Sequence, residues 1–300
     1  MTDLRSLFCF AGALIAASLL LVGCDSGGSS TTTQPADSLR SVSYPLMATS
    51  NSGTRLPDGV SGTVTFWEIS SQTSVVTVAL DGGATGTDVA HVAHIHDGTV
   101  AEGGGIAIRL SPIDGSGGPG TSARIVNQSF DDLSRFDGHV NVHESLADIE
   151  TIIAQGNVGT NADGTASDGF AFVNRPRATE YRLTAQSNGG PFPTGVSGRI
   201  LFQEISASRT LATVELQLSG ATGASVSHPA HIHENSADEG GPIAYYLSPI
   251  DGSDPDTRSS QLLPEPIDSI AVFDGHVNIH QSIAVLDTLL SQGNIGANAN

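Results

Sequence analysis

The chain has few cysteines and few basic residues, and each scarcity excludes a class of protein. Two Cys in 300 residues, one of them in the N-terminal apolar run, cannot build a disulfide framework, so stability must come from burial. Lys and Arg together number 12 against 31 Asp and Glu, which gives a formal net charge of −19. Such a surface repels nucleic-acid phosphates and anionic lipid headgroups, and it attracts cations. We therefore expect no nucleic-acid partner.

Residues 1–23 have the features of an export signal. Arg5 precedes an apolar run from Leu7 to Val22, which is shorter than the roughly 20 residues of a membrane-spanning helix. The run ends in Leu21-Val22-Gly23-Cys24, which resembles the lipobox of bacterial lipoproteins. The resemblance implies cleavage before Cys24, lipidation of Cys24, and a membrane partner reached through that anchor.

Residues 24–43 are predicted to be the lipidated cysteine and a flexible tether, because the stretch DSGGSSTTTQPADS has no hydrophobic face. We expect a cell-envelope protein, with the outer membrane or the cell surface favoured. Asp25 directly after Cys24 is similar to an inner-membrane retention signal, so the inner membrane stays an alternative.

A tandem duplication organises the rest of the chain. All ten histidines form two sets of five related by an offset of 137 residues. The same offset relates the tracts Ser111-Pro-Ile-Asp-Gly115 and Ser248-Pro-Ile-Asp-Gly252. We predict two domains, 44–161 and 181–300, joined by a linker at 162–180.

Each repeat shows the alternation that is typical of half-buried strands, as in Val64 and Phe66 or Val76, Val78 and Leu80. Near the end of each repeat the apolar spacing becomes helical. The sequence therefore predicts an all-β sandwich closed by a short C-terminal helix at about 146–153 and 283–290, which Gly156 and Gly293 would end.

The histidine spacing suggests a metal site in each repeat. In His94-Ile-His96 and His231-Ile-His233, alternation along a strand points both imidazoles to one face, about 6–7 Å apart at Cα. His139 and His143, like His276 and His280, would lie about 13 Å apart on a strand, so at most one of each pair can join. The predicted ligands are His94, His96 and His143 in the first repeat and His231, His233 and His280 in the second.

His139 and His276 are secondary candidates, and His91 and His228 should point to the opposite face. Three neutral imidazoles suit zinc or copper(II) and leave an open coordination position. Asp97, Asp137 and Glu234 are candidates to orient the rings. The alternative is that the histidines are structural groups bonded to backbone, in which case the chain has no cofactor.

These motifs resemble the CHRD (chordin-type) domain family, through Ala93-His-Ile-His-Asp-Gly98 with Val140-Asn-Val-His143 and through their counterparts Ala230-His-Ile-His-Glu234 with Val277-Asn-Ile-His280. The resemblance implies two antiparallel Greek-key β-sandwiches, immunoglobulin-like or superoxide-dismutase-like, in an extracytoplasmic protein. The chain departs from the family pattern at His139 and His276, where the family commonly has Tyr, and at the closing strand, where the helical segment is predicted. HxH on a β-strand is also similar to copper-zinc superoxide dismutase, but that match covers only the pair.

Other chemistries have little support. No Gly-x-Ser-x-Gly elbow is present, and lipidation would consume the thiol. The loop Asp251–Asp256 lacks the order of an EF-hand, so a solvated turn is expected. We predict a non-catalytic binding or structural module for an extracytoplasmic protein or ligand. The alternative is a copper- or zinc-binding protein that handles metal or performs dismutase-like redox chemistry.

Overall fold

The computed structural model describes residues 38–187, 192, 194–217 and 226–299. Strands dominate this part of the chain, and every strand pair recorded in it is antiparallel. The predicted all-β class is therefore confirmed. The export signal at 1–23, Cys24 and the tether as far as residue 37 lie outside the described residues. No helix within the described ranges is long and apolar enough to cross a membrane.

The first half of the chain has these elements in order: β1 (Ser38–Ala48), β2 (Gly62–Glu68), β3 (Ser74–Leu80), β4 (Ala90–His91), β5 (Ala93–Asp97), β6 (Ile106–Arg109), β7 (Ile113–Asp114), β8 (Thr121–Val126), α1 (Phe130–Ser134), β9 (Asp137–His143), β10 (Ile152–Gly159) and β11 (Thr165–Ala171).

The second half has these: β12 (Ala178–Ala185), β13 (Gly198–Ser206), β14 (Arg209–Leu216), β15 (Ser227–Glu234), β16 (Ile243–Asp251), β17 (Arg258–Leu263), α2 (Ile267–Ala271), β18 (Asp274–Ser282) and β19 (Val285–Gly296). Strand β1 begins within the segment predicted as a tether, and β11 lies within the predicted linker. There β11 pairs with β1, so backbone hydrogen bonds hold a segment that has little apolar side chain to bury.

In repeat one, β2 pairs with β1 and β3, and β3 pairs with β8. A second group places β5 between β6 and β9, with β10 beside β9. The alternating apolar residues of both groups meet in one core, where Phe66, Ile95 and Val140 are completely buried. Repeat two has the same arrangement, with Phe202, Ile232 and Val277 at the corresponding places. Burial of these stripes is the main stabilising contribution.

The predicted C-terminal helices are wrong. Residues 152–159 and 285–296 form β10 and β19, which pair along β9 and β18. Apolar residues spaced at helical intervals also occur where a strand follows a turn and contains a register shift, and both pairings contain such shifts. The closing strand that the sequence put in doubt is present, and the helices are the short α1 and α2.

Gly156 and Gly293 lie inside these strands and do not cap a helix. A Cβ on Gly156 would lie 2.2 Å from the Pro45 carbonyl oxygen, and one on Gly293 would lie 2.2 Å from the Arg182 carbonyl oxygen. Each glycine therefore allows the closing strand to pass close against the first strand of its repeat.

The two repeats contact each other through β8 and β17, which pair at Ala123 and Ser260, and the described residues form one compact unit. The turn expected to be solvated at Asp251–Asp256 takes part in this contact. Asp254 is 3 % exposed, because its carboxylate accepts a hydrogen bond from Arg124 of repeat one. The prediction of a solvated turn is wrong at this residue, since a buried charge needs a partner that only the other repeat supplies.

Candidate metal centre

Strands β5 and β9 bring three histidines of repeat one together. His94 and His96 lie two residues apart on β5 and share a face, as alternation requires. On the neighbouring β9, Ala93 opposes Val142, so His143 lies diagonally beside His94 on that face. In repeat two, β15 and β18 place His231, His233 and His280 in the same way. We refer to the first trio as site one and to the second as site two.

The three rings of each site converge. In site one the ring centroids of His94 lie 5.8 Å from His96 and 5.2 Å from His143. In site two the corresponding distances from His231 are 5.8 Å to His233 and 5.0 Å to His280. One nitrogen from each ring lies within 4.8 Å of the others in both sites. Nitrogens on one tetrahedral zinc are about 3.3 Å apart, given bonds of about 2.0 Å, so each trio needs only a small closure.

Three of the six rings are oriented by a backbone carbonyl on the side away from the cluster. His96 Nδ1 donates to the Gly104 carbonyl at 3.1 Å, and His233 Nδ1 donates to the Gly241 carbonyl at 2.9 Å. His280 Nδ1 donates to the Leu286 carbonyl. Because a carbonyl oxygen only accepts, these bonds place the proton on Nδ1 and leave a lone pair on the Nε2 that faces the other rings.

Unsatisfied nitrogens are concentrated at the two sites. Among the described residues, 11 buried side-chain nitrogen or oxygen atoms have no hydrogen-bond partner, and six of them are imidazole nitrogens of these trios. Each such buried atom costs about 1–3 kcal/mol when it stays unpaired. A cation bound by the inner nitrogens would remove part of that cost.

Burial lowers the pKa of five of the six trio histidines, which favours their neutral form at physiological pH. It lowers the pKa of His94 to about 3, and the neighbouring His143 and Arg109 act in the same direction. Burial also lowers the pKa of His143 and of His280 to about 4, opposed at His280 by its bond to the Leu286 carbonyl. The pKa values of His96 and His233 are likewise lowered, chiefly by burial. Neutral imidazole is the form that binds a metal.

The other four histidines lie outside the trios. His91 is completely buried, and its ring bonds the Glu144 carbonyl through Nδ1 and the Thr85 hydroxyl through Nε2. Its counterpart His228 bonds the Gln281 carbonyl. Both histidines therefore hold neighbouring segments of backbone.

His139 stacks on His96 with centroids 5.1 Å apart, and its Nδ1 bonds the Gly98 carbonyl. His276 repeats this arrangement with His233 and the Asn235 carbonyl. Each of these secondary candidates packs against the second histidine of an HxH pair, and neither belongs to the three histidines that converge.

The carboxylates that the sequence suggested as orienting groups do not take that role. The acceptors for His96 and His233 are carbonyls rather than the carboxylates of Asp97 and Glu234, and Asp137 instead accepts from the Asn161 amide. A different acid, Asp114 of repeat one, places its Oδ2 at 3.8 Å from Nε2 of His231 in repeat two.

Sequence reasoning missed Asp114. In the sequence, Asp114 stands out only as part of the duplicated tract Ser111–Gly115, and that duplication does not predict a contact with the other repeat.

Comparison with protein-family models, with curated proteins and with solved structures finds no match for this chain.

Proposed function

We propose that the protein binds a divalent transition metal, zinc or copper(II), at one three-histidine site in each of its two repeats. One observation carries the proposal. In both repeats, one imidazole nitrogen from each of three buried or partly buried histidines lies within 4.8 Å of the others, and backbone carbonyls bond the outer nitrogens of His96, His233 and His280. Three neutral nitrogen ligands with a fourth position open suit either metal.

The alternative, that all histidines serve only as structural groups, accounts for four of the ten. His91 and His228 have backbone acceptors, and His139 and His276 have both an acceptor and a stacking partner. It leaves buried nitrogens of His94, His96, His143 and His233 without a partner, although a packing histidine gains stability only from partners on its polar atoms.

The setting of the sites agrees with cation binding. The formal net charge of −19 attracts cations to the molecule. His96 and His233 are only partly buried, whereas His94 and His143 are 1 % and 5 % exposed. An ion would therefore approach from the side of the second histidine of each HxH pair.

The proposal places the metal sites in a lipid-anchored protein of the cell envelope, on the outer membrane or the cell surface. The lipobox-like Leu21–Cys24 supports this location. We also propose that the repeats are two CHRD-like Greek-key sandwiches, on the motifs around His94 and His143 and their counterparts. In this proposal they act as a non-catalytic binding module, and the metal is their ligand.

Metal retention tests the function. The full-length protein, purified in detergent, is exposed separately to zinc and to copper(II), freed of excess ion, and assayed for bound metal. We expect about two equivalents in the parent, one in His96→Ala, one in His233→Ala, and none in the double variant. The paired substitution His139→Gln with His276→Gln is the matched control. It also removes one imidazole from each repeat, but neither ring belongs to a trio, so both ions should be kept.

Circular dichroism shows whether each variant is folded. A folded parent that keeps neither metal would refute the proposal. So would a folded double variant that binds as much metal as the parent.

A further inference from the structure

Site two differs from site one because repeat one contributes to it. Across the strand pair, His94 opposes Arg109, whereas the corresponding His231 opposes Tyr246. The Tyr246 ring packs edge-on against His231 with centroids 5.0 Å apart. A cation thus stands beside the first histidine of site one, and an aromatic ring stands there in site two.

Tyr246 also packs against the loop of repeat one that contains Asp114. A Cβ added to Gly117 or Gly118 would lie 2.8 Å or 2.7 Å from the nearest atom of the Tyr246 side chain, so the loop fits only because it has no side chains at these positions. This contact places Asp114 next to His231. Within the described residues, theirs is the one recorded ion-pair contact between a histidine and a carboxylate.

The hydrogen bonds define the proton positions of the metal-free site. His280 donates from Nδ1 to the Leu286 carbonyl, so its Nε2 carries a lone pair. His231 Nδ1 lies 3.1 Å from that Nε2 and must be the donor. In the neutral His231 ring, Nε2 is then unprotonated and faces Asp114 Oδ2, which explains why these two buried acceptors lie 3.8 Å apart and both lack a hydrogen bond.

We infer that Asp114 is the outer-sphere partner of His231, so that site two is completed across the boundary between the repeats. The inference rests on the proposed function. A metal held by His231 Nδ1, His233 Nε2 and His280 Nε2 displaces the proton from His231 Nδ1, and solvent returns one to Nε2 with no net change in the charge of the ring. The Nε2–H then donates to Asp114 after an approach of about 1 Å. Carboxylate partners of this kind raise the basicity of a ligating histidine and fix its tautomer.

A zinc titration with a matched pair of variants tests the assignment. Asp114 Oδ1 accepts from the backbone nitrogen and hydroxyl of Ser116, and Asp251 Oδ1 accepts in the same way from Ser253. Asp114→Asn and Asp251→Asn therefore alter the same turn in the two repeats. Only the first replaces an acceptor facing His231 with an amide that can turn its NH2 toward the ring.

Zinc affinity is measured with a competing chromophoric chelator on the full-length protein. The His96→Ala background reports site two alone, and the His233→Ala background reports site one alone. We expect Asp114→Asn to weaken site two about 10- to 100-fold and to leave site one unchanged, and Asp251→Asn to change neither. Unchanged zinc affinity of site two in folded Asp114→Asn would overturn the inference while leaving the function standing. A parent that binds no zinc at either site would overturn the function and this inference with it.

Nitrogen-15 NMR of the zinc-loaded parent shows which nitrogen of His231 binds zinc. It tests the assignment without a variant, in case Asp114→Asn does not fold. We expect His231 to bind through Nδ1 with its proton on Nε2, the reverse of His233 and His280. Ligation of His231 through Nε2 would overturn the assignment, because Asp114 would then have no proton to accept from that ring.

Discussion

Arg124 of repeat one donates from Nη2 to Asp254 Oδ2 of repeat two at 2.9 Å, and both side chains are 5 % exposed. The same guanidinium bonds the Arg258 carbonyl and reaches Asp256 at 3.2 Å. A buried cation thus has all its partners in the other repeat.

Removing one member of this pair should destabilise the protein strongly. We expect Asp254→Ala to lower the free energy of unfolding by about 3–5 kcal/mol, because Arg124 would stay buried without its main counter-ion. Denaturant titration measures the change. Asp268→Ala is the control, since Asp268 pairs with Arg177 but is 76 % exposed, and it should cost under about 1 kcal/mol. Equal losses in the two variants would contradict a buried ion pair at the repeat boundary.

Arg109 should weaken metal binding at site one. It opposes His94 on the neighbouring strand and disfavours positive charge there. We expect Arg109→Gln to raise the zinc affinity of site one by about tenfold, since a nearby unit charge interacts with a divalent ion by a few kcal/mol before screening. Competition titration in the His233→Ala background measures it. Arg182→Gln, which removes an exposed charge from repeat two, should leave this affinity unaltered. A fall in affinity with Arg109→Gln would contradict the charge argument.

The metal-free protein should lose stability as the pH falls below about 6.5. Histidines in the unfolded chain take up protons near that pH. In the folded chain, the pKa values of His143 and His280 are lowered to about 4 and that of His94 to about 3, chiefly by burial. Between these limits the unfolded state binds more protons, so the free energy of unfolding rises with pH and reaches its plateau above pH 6.5.

Denaturant titrations from pH 7 to pH 5 in the presence of a chelator test this sign, because most carboxylates stay ionised over that range. The paired substitution His143→Gln with His280→Gln should flatten the slope. A stability that is constant over the range in the parent would show that these rings do not resist protonation.

Gly156 should not tolerate a side chain. Its added Cβ would lie 2.2 Å from the Pro45 carbonyl oxygen, so Gly156→Ala must separate β10 from β1. We expect a loss of about 1–3 kcal/mol in the free energy of unfolding. Gly105→Ala is the control, since nothing lies within 4 Å of its added Cβ, and it should change stability by less than about 0.5 kcal/mol. Similar values for both variants would argue against the close passage of these strands.

Much of the fold follows from local pattern. The alternation around Val64 and Phe66 correctly predicted a strand with one buried face. The segments after His143 and His280 were mistaken for helices, because their apolar spacing is ambiguous when a turn and a register shift interrupt a strand. Pairing with β9 and β18 decided the outcome, and that pairing is a long-range contact.

For the candidate site, the sequence by itself determined which histidines share a face, because alternation along a strand fixes side-chain direction within a few residues. It also determined that the arrangement occurs twice. Only the tertiary structure decided how far burial lowers the pKa values of His94 and His143, and that Asp114 stands beside His231 while Arg109 stands beside His94. The place of Arg109 depends on the pairing of β5 with β6, and the place of Asp114 depends on how the two repeats pack, because residues more than 100 positions apart in the chain meet only through that packing.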